Sequence, residues 1–200
     1  MINNIENIKA WLEQYKIKDY IINTDLTVDV NNNVDISNKQ LSSIPIRFNR
    51  VEGNFFCHSN LLTNLEGSPS YIGKNFNCGN NLLTTLEYGP KEVKWHFYCY
   101  YNQITSLQHC PSNVGGHFNC EYNEIANLKD FNCNFKGSFL HKGSYIDLFE
   151  DMYVETIEFE LKINYFTLHK VLLHDKLQNT IKNKDNNINN KNSIIKKTKL

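Results

Sequence analysis

Arginine, methionine and proline are scarce in this chain, and long apolar runs are missing. The 200 residues include two arginines, two methionines and four prolines. No run of about 18 apolar residues is present, so we expect no membrane span. The formal net charge is zero, with 21 basic and 21 acidic side chains, which argues against an acidic tail protein or a basic nucleic-acid coat.

Catalytic and targeting motifs are also missing. Residues 1–6 lack the basic and apolar segments of a secretory signal, so we expect a cytoplasmic protein. The nucleophile elbow, the phosphate-binding loop, the metalloprotease helix and the dinucleotide-binding glycines are all absent, as is any Cys-x-x-Cys pair. We therefore expect neither enzymatic activity nor a cofactor.

What the chain does contain is a repeat with a period of 21 residues. Six columns of equivalent positions keep this spacing over four copies. They are Val51, Ile72, Val93 and Val114; Phe55, Phe76, Phe97 and Phe118; Cys57, Cys78, Cys99 and Cys120; Asn60, Asn81, Asn102 and Asn123; Leu62, Leu83, Ile104 and Ile125; and Leu65, Leu86, Leu107 and Leu128. Weaker copies extend the pattern in both directions and predict about six turns over residues 30–149, with degenerate terminal turns.

The spacing within one turn predicts its structure. Phe55 and Cys57 are two residues apart and should share one face of a short strand. Asn60 should turn the chain and satisfy backbone groups of neighbouring turns, so that its column forms a structural ladder. Leu62 and Leu65 should cover the core on the way back. Stacked turns would share one core and pair their strands in parallel.

This pattern resembles the leucine-rich repeat, whose consensus is L-x-x-L-x-L-x-x-N-x-L. Phe55, Cys57, Asn60 and Leu62 occupy the last four conserved positions, whereas Val51 stands one residue before the place of the first leucine. The variant also resembles repeats in uncharacterised proteins of tailed bacteriophages and other large DNA viruses, over about residues 1–149. The resemblance implies an α/β leucine-rich-repeat solenoid, with short parallel strands on its concave face, that serves as a binding scaffold. If the chain is viral, we expect it in the cytosol of the host cell.

The N-terminal flank, residues 1–29, is predicted to form a helical and extended cap. Within residues 4–18, apolar side chains at helical spacing predict an amphipathic helix; they are Ile5, Ile8, Leu12 and Tyr15. This helix either covers the open end of the first turn or binds a partner, and we favour the cap.

The C-terminal flank divides into two segments. Residues 150–182 begin with acidic positions and continue with helical spacing, which predicts a mainly helical C-terminal cap. Residues 183–200 are rich in asparagine and lysine and too polar to fold alone. They are interpreted as a disordered tail rather than a nucleic-acid-binding arm.

The cysteine column fits a dry core or a metal centre. Free cysteine packs as a small apolar side chain, and the absence of Cys-x-x-Cys spacing favours the core over zinc or an iron–sulfur cluster. Cys110 and Cys133 fall outside the column and are expected in loops or near the surface. The cysteine pattern favours a reducing compartment.

Two histidines keep the same period. His96 and His117 are 21 residues apart and should lie side by side on adjacent turns. They could bind a metal or titrate as a pair, or they could face solvent within a binding surface. We favour the binding surface, because no carboxylate accompanies them at the same place.

Side chains that alternate with the buried phenylalanines and cysteines should face the concave side. On the fourth and fifth turns they form an aromatic group of Tyr98, Tyr100, Tyr101, Tyr122, His96 and His117, and the second turn adds Phe56 and His58. Exposed tyrosine is typical of binding hot spots, so we predict the centre of a protein-binding site here. The alternative is that these rings stack on one another and shield the sheet.

The function predicted from sequence is a non-enzymatic protein-interaction module. A structural or virion-associated protein that assembles with its own copies is the alternative. A carbohydrate- or nucleic-acid-binding platform is a weaker interpretation, because arginine and lysine are missing from the heart of the aromatic group. The sequence identifies neither the partner nor the oligomeric state.

Overall fold

The protein is described here from a computed structural model, which covers residues 1–126, 128 and 131–144. The predictions of a helical cap at residues 150–182 and of a tail at residues 183–200 lie outside the described residues.

Helix α1 spans Ile5–Gln14 and begins at an asparagine cap, where Asn4 Oδ1 accepts the backbone N–H of Asn7 at 2.9 Å. The observed helix is therefore shorter than the helix predicted over residues 4–18. Its buried side chains include Ile8 and Trp11, while Ile5 is exposed.

The helix lies against the start of the solenoid through its tryptophan. Trp11 lies 6.2 Å from Phe48, ring centre to ring centre, and Phe48 lies 5.2 Å from Phe55. Through Phe48, the helix is thus connected to the first ring of the phenylalanine column.

Thirteen short strands follow within the described residues. They are β1 Tyr20–Ile22, β2 Thr27–Val30, β3 Val34–Asp35, β4 Arg47–Val51, β5 Phe55–Phe56, β6 Tyr71–Ile72, β7 Phe76–Asn77, β8 Glu92–Val93, β9 Phe97–Tyr98, β10 Asn113–Val114, β11 Phe118–Asn119, β12 Asn134–Phe135 and β13 Phe139–Leu140.

The strands form two sheets. The first sheet has the order β1-β2-β4-β6-β8-β10-β12, and the second sheet has the order β13-β11-β9-β7-β5-β3. All pairs are parallel except β1 with β2. Equivalent residues pair one period apart, as Phe55 pairs with Phe76, except at the start of β2 and β4, where the register shifts by one residue. The six stacked strands of the second sheet are separated by five steps, so the chain forms a β-solenoid of about five full turns.

Each turn contains two strands, where the sequence predicted one. Val51 does not extend the strand of Phe55 but pairs with Ile72 in the first sheet. A corner separates the two strands, and the turns approach closely there: Lys74 N–H donates to Gly53 O at 3.1 Å, and a Cβ on Gly73 would lie 2.2 Å from a backbone oxygen. Only glycine leaves room for that approach.

The core lies between the two sheets and the return segments, which connect each second-sheet strand to the next first-sheet strand. The ring centre of Phe76 lies 5.7 Å from that of Phe55 and 5.5 Å from that of Phe97, and the rings are nearly parallel. Each such side chain contributes roughly 1.5–3 kcal/mol by burial. The cysteine column is fully buried beside these rings, as predicted for a dry core.

Burial raises the pKa of the Cys57 thiol and keeps it protonated. Its Sγ donates to Asn77 O at 3.5 Å. Cys110 and Cys133 both lie in loops, as predicted; Cys133 is buried, at 7% exposed, whereas Cys110 is half-buried.

Candidate functional site

The inner asparagine ladder turns the chain after each second-sheet strand. Asn102 Nδ2 donates to Cys78 O and Cys99 O, both at 3.1 Å. Its Oδ1 accepts Leu83 N–H at 3.0 Å. Equivalent bonds across neighbouring turns are made by the whole column: Asn60, Asn81, Asn102 and Asn123. Each amide thus satisfies buried backbone groups of two turns, which ties the turns together.

A second, outer ladder precedes each phenylalanine. Asn33 Oδ1 accepts Asn54 N–H at 2.8 Å, and Asn54 Oδ1 accepts Asn75 N–H at 3.1 Å. Asn75 Oδ1 then accepts His96 N–H at 3.1 Å. The histidines continue the series, because His96 Nδ1 accepts His117 N–H at 2.8 Å and His117 Nδ1 accepts a backbone N–H at 2.9 Å.

The outer ladder fixes the protonation of both imidazoles. Nδ1 of His96 and of His117 accepts a backbone N–H and so carries no proton, which leaves the ring proton on Nε2. The rings stack with centres 4.8 Å apart. Burial, and next the neighbouring His117, lower the pKa of His96.

This arrangement disfavours the metal interpretation of the histidine pair. A metal ion at Nε2 of His96 or His117 would displace the only ring proton and leave an imidazolate, or would break the Nδ1 bond. No group of three or more histidine, cysteine or acidic side chains suited to a metal ion occurs within residues 1–126, 128 and 131–144.

The aromatic surface, as we call it, lies on the outward face of the second sheet at β9 and β11. The structure brings together six of the eight predicted site residues: His96, His117, Tyr98, Tyr100, Tyr101 and Tyr122. Ring-centre distances between contacting members run from 4.4 Å for Tyr101 and Tyr122 to 6.3 Å for Tyr98 and Tyr100.

Tyr98 and Tyr100 are held by their neighbours. Both are half-buried, and a Cβ on Gly79 would lie 2.7 Å from the Tyr100 ring, so that ring fills the space of the missing side chain. Its hydroxyl accepts from Asn77 Nδ2 at 3.4 Å. For these two rings, the alternative prediction of rings that shield the sheet agrees with the contacts.

Tyr101 and Tyr122 form a stacked tyrosine pair that is far more exposed. Their ring centres lie 4.4 Å apart with an interplanar angle of 3°, and they are 54% and 39% exposed. Partial desolvation, and next Tyr122, raise the pKa of Tyr101, so its hydroxyl stays neutral. Two parallel tyrosine rings offer apolar surface and hydrogen-bonding hydroxyls together.

The backbone of the stacked pair is left-handed, a feature that the sequence analysis did not identify. φ is +49° at Tyr101 and +53° at Tyr122. Positive φ is shared along their column, which comprises Asn38, Ser59, Asn80, Tyr101, Tyr122 and Gly143. Asparagine and glycine tolerate this conformation, whereas for tyrosine it costs roughly 1–2 kcal/mol of conformational free energy. The small and polar residues elsewhere in this column were the sequence signal that could have predicted the left-handed backbone.

Phe56 and His58 lie apart from the aromatic surface. Phe56 occupies the column of Tyr98 two turns earlier, with Asn77 between them. At about 4.8 Å per turn, the separation is roughly 10 Å. The ring centres of Phe56 and His58 lie 6.1 Å from each other, and His58 Nδ1 lies 3.2 Å from Ser59 Oγ. These two predicted members therefore form a separate pair.

The outward face of the first sheet has a different chemistry. Arg50 Cζ lies 3.6 Å from the centre of the Tyr71 ring, and Lys94 Nζ lies 5.7 Å from it. Arg50 also contacts Glu52, and Lys94 Nζ lies 2.6 Å from an oxygen of Glu92. Because this second strand of each turn was not predicted, neither was this arrangement of charges and rings.

Comparisons with known protein families, with curated proteins and with solved structures find no match for the chain. What the structure establishes is a β-solenoid with a repeat of 21 residues. In the described part of the chain, no helix has the length and apolar character needed to cross a membrane.

Proposed function

We propose that the protein is a non-enzymatic binding scaffold and that a protein partner docks on the aromatic surface. The observation that carries this proposal is the stacked tyrosine pair: two exposed rings, 4.4 Å apart, on left-handed backbone. Tyrosine supplies contact area and a hydroxyl at modest entropic cost, which is why it is frequent at hot spots.

The position of the pair argues against a purely structural role. Ser59 and Asn80 hold the same column on earlier turns, so the solenoid closes without an aromatic ring at this position. Tyr101 and Tyr122 are less stable choices there, by roughly 1–2 kcal/mol each on intrinsic grounds. Residues that carry such strain concentrate at functional sites.

The chemistry of the surface suits a protein more than a nucleic acid. Its rings are tyrosine and histidine, without lysine or arginine, and the acidic neighbour Glu121 accepts from Asn119 Nδ2 at 3.0 Å. Nucleic-acid surfaces combine stacked aromatic rings with cations along the backbone track. We therefore favour a protein partner and expect no salt-sensitive binding of single-stranded DNA.

The test removes the rings while keeping the fold. Tyr101→Asn with Tyr122→Asn restores the residue type of Asn80 and suits left-handed backbone, so the double variant should remain folded. Tyr88→Asn is the matched control, because Tyr88 is 59% exposed with φ +63° but lies on a return segment.

The three proteins would be immobilised and exposed to lysate of the source cells, with quantitative mass spectrometry of the retained proteins. A protein held by the wild type and by Tyr88→Asn, and lost with the double variant, would then be purified for affinity measurements. We expect at least about 30-fold weaker binding by the double variant, the equivalent of about 2 kcal/mol. Equal affinity for all three would reject the site.

Self-assembly is a further outcome of the same variants. Light scattering of the wild type would show a mass that rises with concentration if the partner is a second copy. Loss of that rise in the Tyr101→Asn, Tyr122→Asn protein would assign the aromatic surface to self-association.

We also propose that the repeat is a two-sheet variant of the leucine-rich repeat, with the second sheet in the place of the concave strands. Support comes from the burial of Phe55, Cys57, Asn60 and Leu62 at the consensus positions. Six free cysteines favour a reducing compartment, and we place the protein in the cytoplasm, that of the host if the chain is viral.

A further inference from the structure

The outer ladder has one hydrogen-bonding pattern at its asparagines and another at its histidines. At the asparagines, each Oδ1 accepts two hydrogen bonds from the next turn. Asn33 Oδ1 accepts Asn54 N–H at 2.8 Å and Asn54 Nδ2 at 3.0 Å. Asn54 Oδ1 accepts Asn75 N–H at 3.1 Å and Asn75 Nδ2 at 2.9 Å. The amide oxygen and the amide nitrogen of Asn54 are therefore both used within the ladder.

The two histidines keep the acceptor of this pattern but not its internal donor. His96 Nδ1 accepts His117 N–H at 2.8 Å, and His117 Nδ1 accepts Ser138 N–H at 2.9 Å. Because Nδ1 accepts, the ring proton is on Nε2. Neither Nε2–H has an acceptor within residues 1–126, 128 and 131–144. Where the ladder changes from asparagine to histidine, it therefore gains two donors that the fold does not use.

The two donors lie side by side on successive turns. The imidazole rings have centres 4.8 Å apart and an interplanar angle of 13°. Both rings are held at Nδ1 in the same way, so the two Nε2–H groups are about one turn, roughly 4.8 Å, apart. A Cβ on Gly116 would overlap the ring of His96, and a Cβ on Gly137 would overlap the ring of His117. His117 is exposed and His96 is half-buried, so a ligand can reach the pair.

Two such donors match the two oxygens of a carboxylate. These oxygens lie closer together than the two nitrogens, so each N–H can reach one oxygen at about 2.8 Å, the usual length of a charge-assisted hydrogen bond. Hydrogen bonds to an ionised acceptor are roughly twice as strong as those between neutral groups, which favours a carboxylate over an amide. Phosphate is most often held by arginine or lysine, and the aromatic surface contains neither.

We propose that His96 and His117 bind a carboxylate group, with one ring N–H to each oxygen, and that in the docked complex this group is an acidic side chain of the protein partner. The identity of the carboxylate rests on the proposed function, whereas the carboxylate site itself does not. The site lies within the aromatic surface, because the ring centre of Tyr98 is 5.8 Å from that of His96.

The first experiment determines which ring nitrogen carries the proton. Long-range proton–nitrogen NMR spectra of the full chain, labelled with ¹⁵N-histidine and recorded at pH 7.5, distinguish the two tautomers. We expect the Nε2–H form at both His96 and His117, whereas the exposed His109 should show a mixture of the two forms. A proton on Nδ1 of His96 or His117 would overturn the proposal.

The second experiment titrates the same sample with acetate at constant pH and ionic strength. Acetamide serves as the neutral control, and inorganic phosphate as the competing anion. We expect acetate to give saturable shifts of the ring signals of His96 and His117, with an affinity at least about tenfold higher than that of acetamide. The absence of a saturable acetate shift, equal affinity for acetamide, or higher affinity for phosphate would overturn the proposal.

A matched variant removes the donors and keeps the ladder. In His96→Asn with His117→Asn, each Nδ2 can return to the Oδ1 of the preceding turn, as Asn54 and Asn75 do. The acetate-induced shift of the Tyr98 backbone amide should be lost in this variant and kept in the control His109→Asn. Persistence of the shift in the double variant would overturn the assignment. Circular dichroism checks the fold, and if the variant does not fold, the two wild-type experiments decide.

Two further comparisons separate this proposal from the docking proposal. The Tyr101→Asn, Tyr122→Asn protein keeps both histidines, so it should bind acetate as the wild type does even though it loses the partner. Once a partner is purified, the double histidine variant should bind it at least about tenfold more weakly than His109→Asn does. Unchanged partner affinity would overturn the assignment of the carboxylate to the partner and leave the docking proposal intact. A failure to find any partner would count against docking and not against the acetate site.

Discussion

The turns around β5 and β7 and the turns around β9 and β11 share one interior and differ in their exteriors. Inside, phenylalanine, cysteine and asparagine repeat without change from Phe55 to Asn123. Outside, the outer ladder changes from Asn54 and Asn75 to His96 and His117. The left-handed column changes from Ser59 and Asn80 to the stacked tyrosine pair in the same two turns.

The difference shows which positions the solenoid constrains. An interior position must fill a fixed volume and satisfy the backbone of two turns, so substitutions there are costly. An exterior position needs only a compatible backbone and, in the outer ladder, one acceptor atom. The aromatic surface arises where both exterior columns change together, which is why we place the function there.

The largest expected effect comes from breaking the constant interior. Asn102→Ala would leave the buried N–H of Leu83 without its partner. It would also remove one of the two asparagine donors from each of the carbonyls of Cys78 and Cys99, which keep Asn81 and Asn123. With about 1–3 kcal/mol for the unsatisfied N–H and about 0.5–1.5 kcal/mol for each of the two lost hydrogen bonds, we expect a loss of about 2–5 kcal/mol in the free energy of unfolding, measured by denaturant titration. Asn113→Ala, at an exposed asparagine, should change stability by less than about 0.5 kcal/mol. A similar small change for Asn102→Ala would mean that the inner ladder does not hold the turns together.

The interior was the part of the fold that the sequence predicted well. A 21-residue period aligns side chains such as Cys57 and Cys78 whatever path the chain takes between them, so columns, parallel pairing and burial follow from spacing alone. The corner between Val51 and Phe55 does not follow from this spacing. It depends on backbone contacts such as Lys74 N–H to Gly53 O, which no column of side chains reports.

The candidate site was predicted in its members but not in their roles. The column of Asn54, Asn75 and His96 was visible in the sequence, yet the use of His96 Nδ1 as an acceptor depends on geometry and on the tautomer.

A smaller effect should follow from acidification, which acts on the histidine side of the comparison. The pKa of His96 is lowered in the folded protein, so the unfolded chain takes up the proton more readily. As pH falls through about 6.5, the unfolded state gains relative to the folded state and stability decreases; above that range both states are neutral and the contribution vanishes. We expect a lower Tm at pH 5.5 than at pH 7.5, followed by circular dichroism.

The matched variant replaces both imidazoles by the earlier occupant of the column. In His96→Asn with His117→Asn, Oδ1 can take the place of Nδ1 as acceptor, as it does at Asn54 and Asn75. The outer ladder should persist without a titrating ring, so the fall in Tm between pH 7.5 and 5.5 should become shallower. An unchanged slope would assign the pH dependence to other groups.

The smallest expected effect is a gain in stability, and it sharpens the comparison most. Tyr101→Asn puts a residue that tolerates left-handed backbone at φ +49°, and we expect the free energy of unfolding to rise by up to about 1 kcal/mol. Tyr98→Asn also restores the asparagine found one turn away at Asn77, but it removes a half-buried ring and should destabilise the protein. The changes in the free energy of unfolding, measured by denaturant titration, should therefore have opposite signs. Opposite signs would show that Tyr101 is unfavourable for its backbone conformation, whereas Tyr98 stabilises the fold by packing. If Tyr101→Asn destabilised the protein as much as Tyr98→Asn does, the stacked tyrosine pair would be interpreted as rings that shield the sheet. The proposed docking site would then lose its main support.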